Sequence, residues 1–380
     1  MNVLVLCHEL PPVGGGAATV CAALAQEYAA AGCRVTVATM GWDGLPQAEV
    51  SDAGVEVVRL SSRRRRRESA TPAEAARWAC RALAWAVGRR IARYDVVHAH
   101  FVVPAGLAAA LLGWRTPGIP FVLTAHGSDV PGYDRSRFPW LHRILAPAWR
   151  QVCSRAAVLV SPSRSLERLL RAAGVRRPIA LVPNPVDADR FAPLPKESRI
   201  LLASRLVERK GFHLLLESLR GAEPPGWEID VVGDGPERGR LERLAAELRL
   251  PVRFHGWIAR DDPRLPELYG RAALFVFPSR WENLPLAPLE AMAAGCAVVA
   301  TDAEGVVEAV GDAARLVRVG DRRALGAAVR ELAADEVARH DLGRRARERV
   351  ERRFGGSAVA ARYLDLLAGA AAAAGGGRSG

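Results

Sequence analysis

The sequence lacks several features that would place it in a familiar class at once. Its six cysteines are scattered, mostly among apolar residues, and no Cys-x-x-Cys pair occurs. This distribution gives no disulfide framework and predicts buried free thiols in a reducing compartment. No apolar run reaches the roughly 18 residues of a transmembrane helix, and the N-terminal MNVLVLCHEL lacks the regions of a signal peptide. We therefore expect a cytoplasmic protein.

Common ligand-binding signatures are missing as well. The glycine-rich stretch ELPPVGGGAATV lacks the Gly-Lys-Ser/Thr end of a Walker loop, and GDGPERG has Arg238 where a dinucleotide fingerprint has its third glycine. Each loop can be either a tight turn or an anion-binding loop before a helix. No recognisable nucleic-acid-binding module accompanies the arginine run 63–67, which is therefore interpreted as a solvated loop.

The chain is rich in positive charge and in apolar residues. Its 380 residues carry a formal net charge of +12, and 50% of them are hydrophobic. This length and apolar share suffice for two domains with buried cores. The charge indicates an anionic partner or surface, for which acidic lipid and phosphorylated small molecules are better candidates than nucleic acid.

Short β-branched runs alternate with helical patterns along the whole chain. Examples are NVLVLC, DVVHAH and FVLTAH in the first half, and RILLAS, EIDVVGD and LFVFPS in the second. Near-continuous apolar strands separated by helices predict parallel sheets covered on both faces. We therefore predict an α/β protein with two doubly wound domains. The expected organisation is a first domain over 1–185 completed by a helix at 356–368, a linker at 186–198, a second domain over 199–355 and a disordered tail at 369–380.

Basic residues follow one of the predicted strands of the second half. ASRLVERKG places Arg205 and Lys210 directly after that strand, where ligands of open α/β sheets bind. A guanidinium and an ammonium together suit a diphosphate, whereas a solvated basic loop is the alternative. Together with the glycines, histidines and carboxylates after other strands, the pattern fits a ligand that carries both phosphate and sugar.

Two glutamates lie in the stretch PSRWENLPLAPLEAMAAGCAVVAT. Glu282 precedes a predicted helix and Glu290 lies on it. Pro285 suits the first turn of that helix, and Gly295 suits its carboxyl-terminal cap. One rigid element could thus hold two parts of a ligand, whereas two surface glutamates are the alternative interpretation.

Two stretches resemble metal sites only in part. VHAH places His98 and His100 on one face of a strand end, and His126 follows the next strand. No ordered set of carboxylate or thiolate ligands accompanies these histidines, so a zinc site is disfavoured. VDAD at 186–189 follows PNP in the linker, where aspartate commonly caps turns. The sequence therefore predicts no metal site.

Taken in order, these motifs resemble those of the retaining glycosyltransferases of family 4, which have the GT-B fold. The resemblance runs through LPPVGGGA, HGSD, VPNPVD, SRLVERKG, VVGDGPE and GWI, and it is most specific in the Glu-x7-Glu stretch. It implies two Rossmann-like domains that face each other across a cleft, the first binding an acceptor and the second a nucleotide sugar. Cys33, where members often have histidine, and WENLP, in place of the frequent E-x-F-G form, depart from the family pattern.

The resemblance also implies roles for individual residues. Arg205 and Lys210 would neutralise the donor diphosphate, Glu282 would face the transferred sugar, and His126 would contact that sugar from the first domain; these four form the expected catalytic set. Glu290 would hold the ribose hydroxyls. The remaining assignments are donor binding by Gly15, Gly16, Asn283, Leu284 and Leu286, and acceptor contacts by Gly14, His98 and Asp129.

The implied reaction moves a sugar from a UDP- or GDP-linked donor to an acceptor hydroxyl, with retention at the anomeric carbon, in glycolipid, polysaccharide or other glycoconjugate synthesis. The resemblance implies neither a cofactor nor a divalent metal. No side chain stands out as a covalent nucleophile, and the family is described as using a front-face route in which the leaving diphosphate helps to deprotonate the acceptor. A nucleotide-sugar epimerase, another GT-B-fold enzyme such as a phosphorylase, and a non-catalytic nucleotide-sugar-binding module are the alternatives.

The first half also carries basic and aromatic residues that could meet a membrane. Trp78 and Trp85 share one face of a predicted helix that bears several arginines, and YDRSRFPWLHRILAPAWR repeats the mixture. One hypothesis is peripheral contact with anionic lipid at the inner face of the cytoplasmic membrane, for a lipid-linked acceptor. The alternative places both tryptophans in the core.

Overall fold

The computed structural model describes residues 1–67, 69–88, 91–116, 118–133 and 139–376. The chain divides into two compact units, one formed by Met1–Pro185 with Gly356–Gly380 and the other by Val186–Gly355. We call them the first and the second domain. Each contains a sheet of mainly parallel strands with helices in the connections, so the predicted α/β class is confirmed.

The first domain, over its described residues, has an eight-stranded sheet in the order β3-β4-β2-β1-β5-β6-β7-β8. β3 pairs antiparallel with β4, and the other neighbours pair in parallel. The strands are β1 Asn2–Leu6, β2 Arg34–Met40, β3 Ala48–Val50, β4 Glu56–Leu60, β5 Val96–His100, β6 Phe121–Thr124, β7 Val158–Ser161 and β8 Ile179–Leu181. The helices are α1 Gly16–Ala30, α2 Pro72–Gly88, α3 Leu107–Arg115, α4 Pro139–Arg155, α5 Arg164–Ala172 and, from the end of the chain, α13 Gly356–Gly376.

The second domain has a six-stranded parallel sheet in the order β11-β10-β9-β12-β13-β14 over its described residues. The strands are β9 Glu197–Ala203, β10 Glu228–Val232, β11 Val252–Gly256, β12 Ala272–Phe277, β13 Ala297–Thr301 and β14 Arg315–Val317. The helices are α6 Phe212–Ser218, α7 Arg238–Glu247, α8 Arg264–Arg271, α9 Leu286–Ala293, α10 Glu304–Val310, α11 Arg322–Ala334 and α12 Glu336–Phe354.

Continuous apolar runs produce the central strands. Every residue of β12 and of β13 is buried, because helices cover both faces of the second sheet. Two separate apolar clusters fill the two sides of that sheet. By contrast, the edge strand β3 has only three residues, all of them exposed, so no run of apolar residues marks it in the sequence.

Strand order reverses at one point in each sheet. In the first domain, β1 and β5 are neighbours from which the chain proceeds in opposite directions across the sheet, and in the second domain β9 and β12 have this arrangement. Crevices at the carboxyl ends of such strands are the usual ligand sites of doubly wound folds. The loops after these four strands are therefore the places where functional side chains are expected.

Helix α13 packs on the first domain. Val359, Tyr363 and Leu367 are each at most 1% exposed, and the Tyr363 hydroxyl accepts a hydrogen bond from Thr124 Oγ1 at 3.4 Å. Residues 356–375 are long and apolar enough to cross a bilayer by length and composition, a test that core helices also pass. The predicted disordered tail is wrong for residues 369–376, which continue this helix, and its remainder lies outside the described residues.

The tryptophans of α2 belong to the core. Trp78 is fully buried, and Trp85 is partly buried against the same apolar cluster. The hypothesis that these two rings meet a membrane is therefore wrong, and the alternative core placement is confirmed. The prediction of buried thiols holds for four of the six cysteines, since Cys33 is only partly buried and Cys80 is exposed.

Candidate functional site

The loops after β9 and β12 pack against each other at the switch point of the second sheet. Gly211 has φ +71°, and a Cβ on it would lie 2.3 Å from the carbonyl oxygen of Pro278. Only glycine fits this close approach. The amide of Arg280 donates to the carbonyl of Arg209 at 2.9 Å, which joins the loops further. The basic stretch and the first glutamate of the Glu-x7-Glu stretch are thereby held together.

Lys210 and Glu282 form an ion pair between these loops. Lys210 Nζ lies 2.5 Å from Glu282 Oε1, and their side chains are 10% and 7% exposed. Ser279 Oγ donates to the same carboxylate oxygen at 2.6 Å, and Arg209 Nη1 lies 3.5 Å from it. Burial raises the pKa of Glu282, but the neighbouring cations and hydrogen bonds outweigh it, so the net pKa is lowered. The carboxylate is therefore ionised at neutral pH.

The positive side chains of the loop after β9 influence the pKa of Lys210. Burial lowers the pKa of Lys210, Glu282 opposes that effect, and the charges of Arg209 and Arg205 lower the pKa further. Arg205 itself is exposed, immediately beyond the end of β9. Lys210 and Arg209 therefore flank one carboxylate, and Arg205 lies in the same loop, which leaves a net positive site suited to an anion.

Glu290 lies on α9 and is paired from a different loop. It is 5% exposed, and Arg260, which follows β11, donates to its Oε1. The Arg260 guanidinium lies 5.4 Å from the Phe191 ring centroid. Burial first, and the hydrogen-bonded Glu290 carboxylate second, raise the pKa of Tyr269 well above its usual value. The Glu290 carboxylate is thus fixed in place before any ligand binds.

The segment between the glutamates leads into α9. Asn283 and Leu284 are 6% and 4% exposed, and Leu286 is the first residue of the helix after Pro285. Backbone amides at this helix start favour negative groups. The donor-binding roles of Asn283, Leu284 and Leu286 stay predictions.

In the first domain, Asp129 organises the HGSD loop. Its carboxylate accepts hydrogen bonds from the amides of Val102 at 2.7 Å, His126 at 3.0 Å and Gly127 at 2.9 Å. Asp129 is 8% exposed, and burial raises its pKa even though these hydrogen bonds oppose the change. A carboxylate with these contacts positions the loop, so the structure does not place Asp129 at an acceptor surface.

His126 is partly buried and bonded to a second imidazole. Its Nε2 lies 3.0 Å from His100 Nδ1, and the two rings are stacked at 5.2 Å. Burial, with a smaller effect of His8, lowers the pKa of His126 to about 3. His126 is therefore neutral at physiological pH and can exchange hydrogen bonds with a sugar hydroxyl without adding charge.

His98 is part of the core. It is fully buried, its Nε2 lies 2.9 Å from Thr124 Oγ1, and its Nδ1 lies 3.2 Å from Tyr28 Oη. Burial lowers its pKa to about 3. The assignment of His98 to acceptor binding is wrong in this structure, because both ring nitrogens are engaged inside the domain.

The glycine loop before α1 has two distinct parts. Gly14 is buried with φ +102°, its amide donates to the carbonyl of Arg67 at 2.9 Å, and a Cβ would lie 2.7 Å from Glu9 Cβ. This packing argues against the predicted acceptor contact by Gly14. Gly15 and Gly16 are exposed at the helix start, where a ligand could approach. Their donor-binding roles stay predictions.

The predicted absence of metal ligands concerns two stretches. Within the described ranges, no group of three or more His, Cys, Asp or Glu side chains is close enough together to hold a metal ion. In VDAD, Asp187 Oδ1 accepts from the amide of Arg190 at 2.9 Å, as in an aspartate-capped turn. This supports the turn interpretation.

Sequence reasoning missed four residues that complete the second-domain site: Arg209, Ser279, Arg260 and Tyr269. Arg209 and Ser279 lie inside motifs that the sequence analysis recognised, so their closeness in sequence to Lys210 and Glu282 could have indicated that they belong to the site. Arg260 lies two residues after the quoted GWI, whereas Tyr269 lies on α8 and no motif in the sequence marks it. The fold and these side chains define a doubly wound, two-domain α/β protein with a net positive site at the switch point of its second sheet.

Comparison with known proteins identifies the family. Residues 14–190 match the model described as Glycosyltransferase Family 4, and residues 186–349 match Glycosyl transferases group 1. The phosphatidyl-myo-inositol mannosyltransferase of Mycolicibacterium smegmatis is 33% identical over 71% of this chain and 70% of its own length. The lipopolysaccharide core glycosyltransferase LpsE of Rhizobium meliloti is 34% identical, over 51% of this chain and only 55% of its own length. The chain belongs to the group 1 glycosyltransferases.

Solved structures identify the fold. Sucrose-phosphate synthase from Thermosynechococcus elongatus has a TM-score of 0.82 at 23% identity and covers 98% of this chain and 100% of its own. Anabaena HepE in complex with UDP-glucose has a TM-score of 0.77 at 19% identity and covers 97% of this chain and 100% of its own. The GT-B fold with two Rossmann-like domains, predicted from the motifs, is confirmed.

Proposed function

We propose that this protein transfers a sugar from a nucleotide-diphosphate donor to an acceptor hydroxyl in glycoconjugate synthesis. The observation that carries the proposal is the Lys210–Glu282 pair at the second switch point, with Arg205 and Arg209 in the same loop and Glu290 on the helix that follows. UDP-glucose occupies the similar fold of HepE, which supports a UDP-linked donor here, with GDP as the other candidate.

The reaction retains the anomeric configuration and needs neither a divalent metal nor a cofactor. Arg205 and Lys210 offset the charge that develops on the leaving diphosphate, which is the contribution a metal makes elsewhere. Glu282 loses Lys210 to the diphosphate and is then able to accept hydrogen bonds from the sugar. Glu290 accepts hydrogen bonds from the ribose hydroxyls, and neutral His126 exchanges a hydrogen bond with a sugar hydroxyl.

The acceptor binds the first domain, and the protein works in the cytoplasm with peripheral contact to anionic membrane. The tryptophans of α2 do not support the membrane contact, because they belong to the core. The support for this contact comes from exposed apolar side chains on α3 and α4, where Trp114 is 71% and Ile144 is 68% exposed. In addition, the Arg155 guanidinium lies 4.9 Å from the Trp114 ring centroid. Aromatic, aliphatic and cationic groups together favour a bilayer interface.

The proposal is tested by incubating the protein with UDP- and GDP-sugars and simple glycoside acceptors in EDTA. We expect nucleotide release that depends on acceptor, and a product whose anomeric configuration by NMR equals that of the donor. Conversion of the donor to another nucleotide sugar would indicate an epimerase, an inverted product would contradict retention, and activity only after metal is added would contradict metal independence.

A further inference from the structure

The arginine run 63–67 is a loop whose side chains are exposed, as the sequence predicts, with the exception of Arg64. The Arg64 side chain is 0% exposed and lies 3.1 Å from Glu9 Oε1. The same guanidinium donates to the carbonyls of Arg66 at 2.9 Å and Arg67 at 3.0 Å. The backbone of the run is therefore folded around the side chain of its own second residue.

Two further contacts fix this arginine loop on the domain. The amide of Gly14 donates to the carbonyl of Arg67, as described above, which joins the loop to the glycine loop. The amide of Arg65 donates to Glu74 Oε1 at 3.2 Å, and Glu74, on α2, is 4% exposed. The loop is thus held between the starts of α1 and α2.

This arrangement displays the other arginines without neutralising them. The side chains of Arg65, Arg66 and Arg67 belong to exposed residues, and within the described residues no carboxylate forms an ion pair with them. Glu9 and Glu74, the acidic groups that contact the loop, are engaged by Arg64 and by backbone amides. The Arg67 guanidinium lies 6.0 Å from the Trp42 ring centroid, which holds it without neutralising its charge. An ordered loop whose three exposed guanidinium groups have no carboxylate partner among the described residues has less freedom to lose on binding an anion than a disordered one.

We propose that the acceptor carries a phosphate group, and that Arg65, Arg66 and Arg67 bind it. The inference rests on the proposed function and specifies the acceptor class. The donor diphosphate has its own cations in the second domain, Arg205 and Lys210, so this loop serves a different anion. Guanidinium groups bind phosphate oxygens in a bidentate manner, which an arginine-only cluster favours. The phosphate can belong to a lipid head group or to a water-soluble acceptor.

The test compares the triple variant Arg65→Ala/Arg66→Ala/Arg67→Ala with a control of equal charge, Arg318→Ala/Arg352→Ala/Arg353→Ala, whose residues are exposed in the second domain. Arg64 is kept in both, so that the loop stays folded. The first probe is glycerol 1-phosphate, whose binding is measured by the broadening of its ³¹P resonance in the presence of saturating UDP. Glycerol, which lacks the phosphate, is added as a competitor. The second is sedimentation with phosphatidylglycerol vesicles, against phosphatidylcholine vesicles, at low salt.

We expect the loop variant to bind at least one probe about tenfold more weakly, while the control binds like the wild type. Loss of vesicle binding alone identifies a lipid head group, and loss of glycerol phosphate binding alone identifies a soluble acceptor. Equal binding by wild type and loop variant, or equal loss in the control, would overturn the inference. UDP binding by the loop variant is measured separately: if UDP fails to bind the wild type as well, it is the proposed function that fails.

Discussion

The loops at the switch point of the second domain share a nearly buried ion pair, whereas the ends of β5 and β6 in the first domain share a pair of neutral imidazoles. In the second domain, Lys210 and Glu282 face each other in a nearly buried ion pair. In the first, His100 and His126 share a hydrogen bond, and burial keeps the pKa of both rings low. The same doubly wound fold thus presents two kinds of chemistry at the carboxyl ends of its strands.

The difference follows from what each domain is proposed to bind. A donor diphosphate is strongly anionic and needs cations that are already positioned. A sugar is neutral, and a neutral imidazole can bind it without the desolvation penalty of a buried charge. The phosphate-binding loop proposed for the first domain agrees with this division, because Arg65, Arg66 and Arg67 are exposed, whereas His100 is buried and His126 is partly buried.

The largest predicted effect concerns the second-domain ion pair. Replacing Glu282 by Ala leaves the Lys210 ammonium buried without its partner, and we expect the free energy of unfolding to fall by about 3 kcal/mol. The double variant Glu282→Ala/Lys210→Met should regain most of that stability while transferase activity stays lost. Urea unfolding and donor turnover measure the two quantities. A double variant as unstable as the single one would show that the pair has no such coupling.

The next largest effect is the loss of stability at low pH that the buried imidazoles of the first domain cause. A histidine whose folded pKa is about 3 stays neutral while the unfolded chain, with a pKa near 6.5, takes up a proton. Stability is then present above pH 6.5 and is lost as the pH falls towards 3. For His98 alone we expect a loss of about 2 kcal/mol between pH 7 and pH 5. Urea unfolding at both pH values should show a smaller loss for His98→Gln, and an unchanged one for the exposed His340→Gln.

A smaller effect is expected for Asp129, which holds the HGSD loop. Asp129→Asn places an amide group opposite at least one backbone donor, and we expect the free energy of unfolding to fall by about 1 to 2 kcal/mol. Because the loop carries His126, kcat should fall more than the KM for the donor rises. A purely structural role would lower stability while leaving kcat of the folded enzyme unchanged, and this outcome would contradict the positioning role.

The smallest effect on stability is expected for Arg205, whose side chain is exposed. Arg205→Ala should change the free energy of unfolding by less than about 0.5 kcal/mol in the absence of ligand. Thermal unfolding without nucleotide checks this expectation. A large loss would mean that Arg205 supports the fold, and the contrast with the buried Lys210 would disappear.

The sequence predicted where the candidate site residues lie in the fold when the signal was local. Arg205, Lys210, Glu282 and Glu290 follow strands with strong apolar runs, and parallel topology brings those strand ends to one edge. Arg260 and Tyr269 could not be predicted in this way, because their contact with Glu290 depends on how α8 and the loop after β11 pack against α9.

The wrong predictions share one physical reason, which is that exposure depends on tertiary contacts. Trp78 and Trp85 have the spacing of an interfacial helix face, but that face packs on the sheet. Arg64 looks like any member of a charged run, yet Glu9, more than fifty residues earlier, makes its burial favourable. His98 lies on the same face of β5 as His100, but it is in the middle of the strand, where Tyr28 and Thr124 enclose it in the core.

The most direct test of the donor site is thermal unfolding of the wild type and of Arg205→Ala with UDP, GDP, ADP or no nucleotide. A ligand that binds only the folded state adds about 2.7 kcal/mol at a hundredfold excess over its Kd. The account predicts a raised midpoint with one nucleotide for the wild type, and a much smaller shift for Arg205→Ala. Unchanged midpoints with every nucleotide, or equal shifts in both proteins, would contradict a diphosphate site in the loops after β9 and β12.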